Sequence, residues 1–431
     1  MDTVSIQPEP PVARWTALQK IAFRFFFVFL GLTSLFGYNL LFQTLGMRLN
    51  DTYKIYGMIG KPLAWIDRHS FHVGYDPSSH ISFFADGHFG WLLLRIFSLL
   101  SLAATVVWSL ADRRHSNYNK LHYWFRTYLA FYLFFPMTSY GLQKMLFIQM
   151  PYPNIMSILT PLGQKQGQDV VWDFIGISPG YSFFTGFCEF AGGILVLFRR
   201  TRILGSLFLA TVLTNVVCLN LFYNIQVKLL CMQLLLTDLF LLAPYIPKLF
   251  LFFYAWQPVS VAEKKYSFST PWKNCLIIAL FLAPVWKTAL VIKRNVEFSR
   301  SNSRTRSRQR LYDVASFIHG KDTLLPLASD TLRWKKFAFS DYQGQPYGVI
   351  FNMQDGQDWY SYELNDKTKT LTLTDSPDTT RKFHFSYSEP NTEKMLLTGI
   401  WKGKNVQMIL RKVAIDSLPL LMEKTRWLQN Y

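Results

Sequence analysis

Of the charged side chains inside apolar runs in the first 292 positions, the candidates for a task are Arg95, Lys144, Glu189, Lys228 and Asp238. A charge near the middle of a bilayer costs about 2.5–3.5 kcal/mol on insertion scales, so each needs a partner, a wet cavity or a task. Glu189 is the most central. Gly186, Gly192 and Gly193 stand three and four residues from it on one helical face, where small residues let a second helix come close. Lys144 follows Tyr140 at helical spacing, and Lys228 opens a later apolar run. A Glu189–lysine pair would neutralise both charges inside a bundle, either as a structural ion pair or as a site that handles a proton or ligand. Asn215, Asn220, Asn224 and Gln226 add amides near the outer end of the same bundle, where they could bridge helices or line a cleft for a headgroup or a quinone. Asp238 and Arg95, near helix ends, could snorkel to water.

A second cluster has the residue types of a metal site. His69, His72, His80 and His88 are four of the eight histidines, and Asp67, Asp76 and Asp86 lie among them. In HSFHVGYDPSSH (69–80) the His-x-x-His spacing suits adjacent ligands, but no second motif fixes a geometry. His69 and His72 are therefore weak metal candidates beside the plainer reading of interfacial, hydrogen-bonding histidines. The cysteines Cys188, Cys218, Cys231 and Cys275 are too widely spaced for a dithiol or zinc knuckle and read as buried apolar thiols. No phosphate loop, dinucleotide fingerprint, zinc-protease helix, nucleophile elbow or haem-attachment motif is present.

The elements that must position these residues follow from length and composition. Of 431 residues, 50% are hydrophobic, 17% aromatic and 17% charged, and the apolar excess is concentrated in blocks before position 292. That pattern excludes a purely soluble, disordered, collagenous or disulfide-scaffold protein. Blocks at 25–45, 89–110, 123–147, 181–198, 204–222, 227–242 and 274–292 predict about seven transmembrane helices. The run 248–256 is too short to cross and is expected in the interface, and 46–88 and 148–180 read as long loops. The net charge of +18 falls largely in short segments between apolar blocks, as expected at anionic headgroups, so nucleic acid is not expected as a partner. Arg199, Arg200 and Arg202 read as membrane-surface residues on the inner side, together with an inside N-terminus and no cleavable signal peptide. Seven crossings then put the Arg-rich stretch 293–310 and the tail outside, against the positive-inside rule.

Residues 311–413 alternate polar and apolar in short runs separated by Gly, Pro, Asn and Asp. They predict a soluble, antiparallel all-β domain of roughly seven strands, a small sandwich or barrel. The chain thus divides into 1–122 (two transmembrane helices and the His-bearing loop), 123–245 (a four-helix core), 246–310 (interfacial segment, seventh helix and basic linker) and 311–431 (β-rich domain).

The core resembles the DoxX family of bacterial membrane proteins. The resemblance rests on SYGLQKML (139–146), on GFCEFAGGILVLFRRTRILG (186–205) and on NVVCLNLFYNIQVKLLCMQLLLTDLFLLAP (215–244), together about 120 residues of the chain. It extends residue by residue to Gly141, Lys144, Glu189, Gly192, Gly193 and Arg199, with Gly141 joining the helix-packing positions. The additional N-terminal helices, seventh helix and β-rich tail mark a long form. A vaguer similarity is to the transmembrane domain related to vitamin K-dependent carboxylases. The DoxX resemblance implies a multi-pass protein of the bacterial inner membrane, redox-linked, with the bilayer and a membrane oxidoreductase as partners and a quinone as the cofactor class. Two further readings stand beside it: a non-enzymatic scaffold or small-solute and lipid handler, and a metalloenzyme using the loop histidines.

Overall fold

The computed structural model describes residues 14–36, 49–77, 86–258, short pieces between 289 and 297, and 309–342, 345–376 and 378–418. Its helices are α1 (Ala17–Phe36), α2 (Leu49–Ile66), α3 (His88–Ala111), α4 (Asn119–Met145), α5 (Ile155–Leu159), α6 (Gly167–Gly176), α7 (Pro179–Leu197), α8 (Arg202–Phe222), α9 (Lys228–Leu242) and α10 (Ile246–Phe253). Nine strands follow: β1 (Arg310–His319), β2 (Asp322–Thr323), β3 (Trp334–Tyr342), β4 (Gln345–Asn352), β5 (Gln357–Asn365), β6 (Thr370–Asp375), β7 (Lys382–Asn391), β8 (Lys394–Trp401) and β9 (Lys404–Val413). The chain divides into two units, 1–142 with 184–292, and 143–183 with 293–431.

In the helical unit, α4 is the axis. Ala130 to Thr138 are buried without a break, which an amphipathic surface helix never shows. Its neighbours therefore surround it: Phe23, Leu30, Val196, Leu209, Leu213, Leu230, Leu234 and Leu241, from α1, α7, α8 and α9, belong to its core. Five described helical stretches are long and apolar enough to cross a membrane: Ala17–Phe36, His88–Ala111, Pro179–Leu197, Arg202–Phe222 and Lys228–Phe253. The 27-residue α4 is long enough but more polar, with His122 and Arg126 in its first turns. A helix encased by protein need not meet the hydropathy that lipid demands of an exposed one.

Close backbone contact holds α7 between α4 and α8. A Cβ on Gly141 would stand 2.6 Å from the Gly186 carbonyl oxygen and 2.7 Å from the Phe190 nitrogen. One on Gly205 would stand 2.5 Å from the Val196 nitrogen. Gly193 faces Met137 and Gly192 faces Leu209, so this glycine helix has a close neighbour on both sides.

Several sequence expectations change. The loop expected over 46–88 contains α2, followed by a π-helical turn at Asp67–Phe71. Leu63 and Ala64 of α2 pack on Phe89, Leu92 and Phe97 of α3. The expected loop 148–180 contains α5 and α6. The run 248–256 begins inside helix α10 (Ile246–Phe253). A 3-10 turn at Ala243–Tyr245 joins α9 to α10 in one run of 26 residues. The first helix starts at Ala17 rather than Phe25. Most of the expected helix 274–292, and the basic stretch 298–308, lie outside the described residues.

The β-rich domain is a barrel. Sheet order β2-β1-β3-β4-β5-β6-β7-β8-β9, all antiparallel, closes through β1 on β9. The eight longer strands form an up-and-down barrel, and the two-residue β2 pairs only with the end of β1. Inside lie Phe317, Trp334, Phe337, Leu371, Leu373, Phe385, Leu397 and Met408. Outside, α5 covers one wall: Ile155 and Met156 pack on Leu311, Ala338, Val349 and Phe351, and Gln357 donates to the Thr160 hydroxyl at 2.7 Å. The segment 143–183 is thus part of the barrel's own folding unit. Strand β1 breaks the period-2 pattern because its register shifts between Val314 and Ser316, and because Leu311 and Tyr312 are buried on opposite faces.

Gly141→Leu is expected to force α4 from α7, costing about 1–3 kcal/mol or more. Gly31→Leu, with nothing within 4 Å of its Cβ position, is the control. Thermal unfolding of both variants in detergent checks this, and equal melting points would refute the close-contact account.

Candidate functional site

The helical unit holds a cleft of about 590 Å³ between α1, the start of α4 and the end of α9. From α1 and the residues before it come Trp15, Gln19, Ala22, Phe23 and Phe26, and from α4 come Asn119 and His122. Leu236, Leu239, Phe240, Ala243 and Pro244 form the remaining wall. The surface is mostly apolar and aromatic, with a few polar groups gathered at one place. Trp15 Nε1 donates to Asn119 Oδ1 at 2.7 Å, and its main-chain nitrogen donates to the Ser116 carbonyl at 3.0 Å. The His122 ring meets Trp15, Phe23 and Phe240 edge-on, with centroids 5.5, 5.6 and 5.8 Å away. An aromatic pocket with an imidazole and an amide is the chemistry that receives a flat, lipophilic molecule carrying carbonyl or hydroxyl groups.

A buried ionic brace supports this wall. Arg24 Nη1 donates to Ser109 Oγ at 2.8 Å, and Nη2 donates to the Asp112 carbonyl at 2.9 Å and the Tyr118 hydroxyl at 2.6 Å. Tyr118 in turn donates to Asp112 Oδ2 at 2.8 Å, and His115 Nδ1 lies 2.5 Å from Oδ1. The His115 and Tyr118 hydrogen bonds hold the Asp112 carboxyl down at about 2. Phe23, a lining residue, stacks on the Tyr118 ring at 5.4 Å. The sequence shows Arg24 only as another inner-side cation, because its partners lie 85 or more positions away.

The intramembrane residues singled out from the sequence do not form one cluster. Lys228 is not a partner of Glu189: its Nζ lies 3.1 Å from Asp86 Oδ2 and donates to Asn224 Oδ1 at 2.9 Å and the Ile225 carbonyl at 3.0 Å. Asp86 also accepts the main-chain N–H groups of Lys228 and Leu229, so it caps α9 from a distant segment. Asn215 is exposed on α8 and lines no buried site. Asn220 is buried but turned onto its own helix, Nδ2 donating to the Val216 carbonyl at 2.8 Å. Tyr140 is half-buried on α4. Lys144 is buried in the last turn of α4, whose carbonyl there accepts the Ser182 hydroxyl at 3.0 Å, and Glu189 is buried on α7. Gly186 supplies the carbonyl that meets Gly141. Asp238 does not snorkel: it is 0% exposed, beside the buried Ser206 hydroxyl.

Arg202 is not a surface residue. It is 2% exposed, with Nε donating to the Val196 carbonyl at 3.3 Å, because the α7–α8 turn folds it under the helices. Arg199 lies over the Tyr123 ring at 4.7 Å, and Arg200 is exposed. The loop histidines are occupied locally. His69 stacks on Trp65 at 4.5 Å with Nδ1 2.8 Å from its carbonyl oxygen, and the left-handed His72 (φ 51°) closes the π turn. The nearby carboxylate of Asp67 is buried. Burial raises its pKa, but the N–H groups of Val73, Gly74 and Tyr75 at 2.8–2.9 Å more than offset this and hold it below the usual range. Among the described residues no group of three His, Cys, Asp or Glu side chains could hold a metal, and His80 lies outside them.

The Asp112 pKa, depressed on folding, contributes stability that is present above pH 4 and lost as pH falls from about 4 towards about 2. The melting point of the native protein should fall across that window and that of Asp112→Asn much less. Parallel acid titrations check this, and identical slopes would refute it.

No family model matches the chain, and no solved structure matches it. Among curated proteins, the uncharacterized protein YwoB of Bacillus subtilis (strain 168) is 32% identical over 118 residues, 27% of this chain and 72% of YwoB. At that identity and coverage, the chain belongs to the family of YwoB.

Proposed function

We propose that this protein is a DoxX-like, quinone-associated subunit of the bacterial inner membrane, and that the α1–α4–α9 cleft receives the quinone ring. The cleft carries the reading. Phe23, Phe26 and Phe240 supply a flat apolar slot, and His122 and the Trp15–Asn119 pair supply polar contacts for a quinone or quinol oxygen. Lining by Leu236 and Leu239 suits a ring with an isoprenoid tail. A membrane oxidoreductase would be the electron-transfer partner, since no redox-motif sequence occurs in the chain itself. The alternative, a non-enzymatic lipid handler, uses the same apolar walls and differs in taking a phospholipid rather than a quinone.

The same reading includes a membrane sidedness. The segment between α4 and α7 packs on the barrel, which supports placing both on one side of the membrane. After α7, α8 and the α9–α10 run, the further helix that the sequence leads one to expect at 274–292, mostly outside the described residues, would return the chain to the barrel's side. With basic residues such as Arg113 and Arg114 inside, the barrel is outside.

Two measurements test these statements. A short-chain benzoquinone titrated into purified protein should quench tryptophan fluorescence saturably, and His122→Ala should weaken binding about tenfold. A variant that binds as well as the native protein, or a native protein that carries phospholipid and ignores quinone, would refute the quinone reading. In intact cells a membrane-impermeant thiol reagent should modify Lys394→Cys and Gln168→Cys but not Arg113→Cys. Labelling of Lys394→Cys and Gln168→Cys on opposite sides would refute the topology.

A further inference from the structure

One end of the barrel gathers buried hydrogen-bond donors that have no acceptor. Strand β1 ends there at His319, β3 begins there at Trp334 and β8 ends there at Trp401. Arg333, 4% exposed, donates from Nη2 to the Val314 carbonyl at 2.9 Å, while Nε and Nη1 have no partner among the described residues. The indole Nε1 atoms of Trp334 and Trp401 are likewise buried without acceptors, and their rings stand 5.0 Å apart. Phe383 adds a ring 4.5 Å from Trp401.

A guanidinium does not surrender its proton in a protein, so this positive charge persists although burial pushes its pKa down. The acid beside it in sequence, Asp330, attracts the guanidinium electrostatically but spends Oδ1 on the main-chain nitrogens of Leu332 and Arg333, and among the described residues no carboxylate hydrogen-bonds the guanidinium. A buried charge that no carboxylate hydrogen-bonds is costly, and donors without acceptors add to that cost. What relieves both is a negatively charged acceptor, and the aromatic surroundings favour one with an apolar body. An eight-stranded barrel is of the size that holds one small ligand. We propose that this end of the barrel binds a small organic carboxylate, with Arg333 as its charge anchor and Trp334 and Trp401 as flanking donors. This site belongs to the barrel alone and does not depend on the quinone reading of the helical cleft.

The test uses the full chain purified in detergent, with benzoate and hexanoate as probes and inorganic phosphate as comparison. Each is followed by calorimetric titration and by thermal unfolding. Saturable binding of a carboxylate with a melting-point rise of about 4 °C or more is expected. Arg333→Met should lose that response while melting no lower than the native protein in carboxylate-free buffer, because it removes a buried charge with two donors left without acceptors. Arg333→Lys, which keeps the charge and loses the planar fork, should bind about tenfold more weakly. The proposal is overturned if neither carboxylate binds, if only phosphate binds, or if Arg333→Lys binds unchanged. It is also overturned if Arg333→Met melts several degrees lower and the native protein does not respond, since Arg333 is then only a brace for Val314.

Discussion

In a bilayer no hydrophobic force draws helices together, so the helical unit depends on how near its backbones can come. That constraint falls on α7. Gly141 and Gly205, on the helices to either side, remove the side-chain atoms that would keep them away, and Gly192 and Gly193 do the same from α7 itself. Everything else in the unit uses the resulting frame. With α7 seated, α4 can be enclosed along its middle, and only an enclosed α4 can carry His122 and Arg126 in its first turns without exposing them to hydrocarbon.

The ends of the helices are fixed by charge rather than packing. Arg24 draws α1, the end of α3 and Tyr118 into one network, which sets the position of Phe23 in the cleft. At the opposite end of α9, Asp86 ties a distant segment to Lys228 and to the first main-chain N–H groups of the helix. Both are ionic groups near helix termini, where water or headgroups lower the cost of charge. Between those anchors lies the apolar middle, and the cleft opens beside the first of them.

The barrel has the opposite economy. Its closure removes free strand edges, and α5 shields one outer wall, so its interior can be almost wholly aromatic and aliphatic. The few polar atoms left inside stand out against that apolar packing.

How much of this is legible in the sequence depends on the range of the interaction. Apolar blocks and alternating strands are local patterns, so the helical stretches and most strands can be read directly, as can the close-packed glycines around Glu189, although these face two neighbours, Gly193 towards α4 and Gly192 towards α8, rather than one. Strand β1 escapes because a bulge and burial on both faces break its alternation. Helix α2 escapes because a sequence that opens on polar residues and carries an internal proline looks like a loop. The charged residues mislead for a third reason. A cation in an apolar run looks the same whether its partner is Glu189 or Asp86, and Lys228 meets Asp86 across 142 positions. The cleft is the least legible feature, because Trp15, His122 and Phe240 come from three helices and share no spacing.

The central claim is that the α1–α4–α9 cleft holds a quinone ring, and a photoreactive short-chain quinone tests it most directly. Irradiation of the native protein in membranes, followed by peptide mapping, should place the label on peptides containing His122 or Leu239–Pro244, and excess unlabelled quinone should abolish it. Label spread over the lipid-facing residues of α8, or undiminished by competitor, would contradict the account.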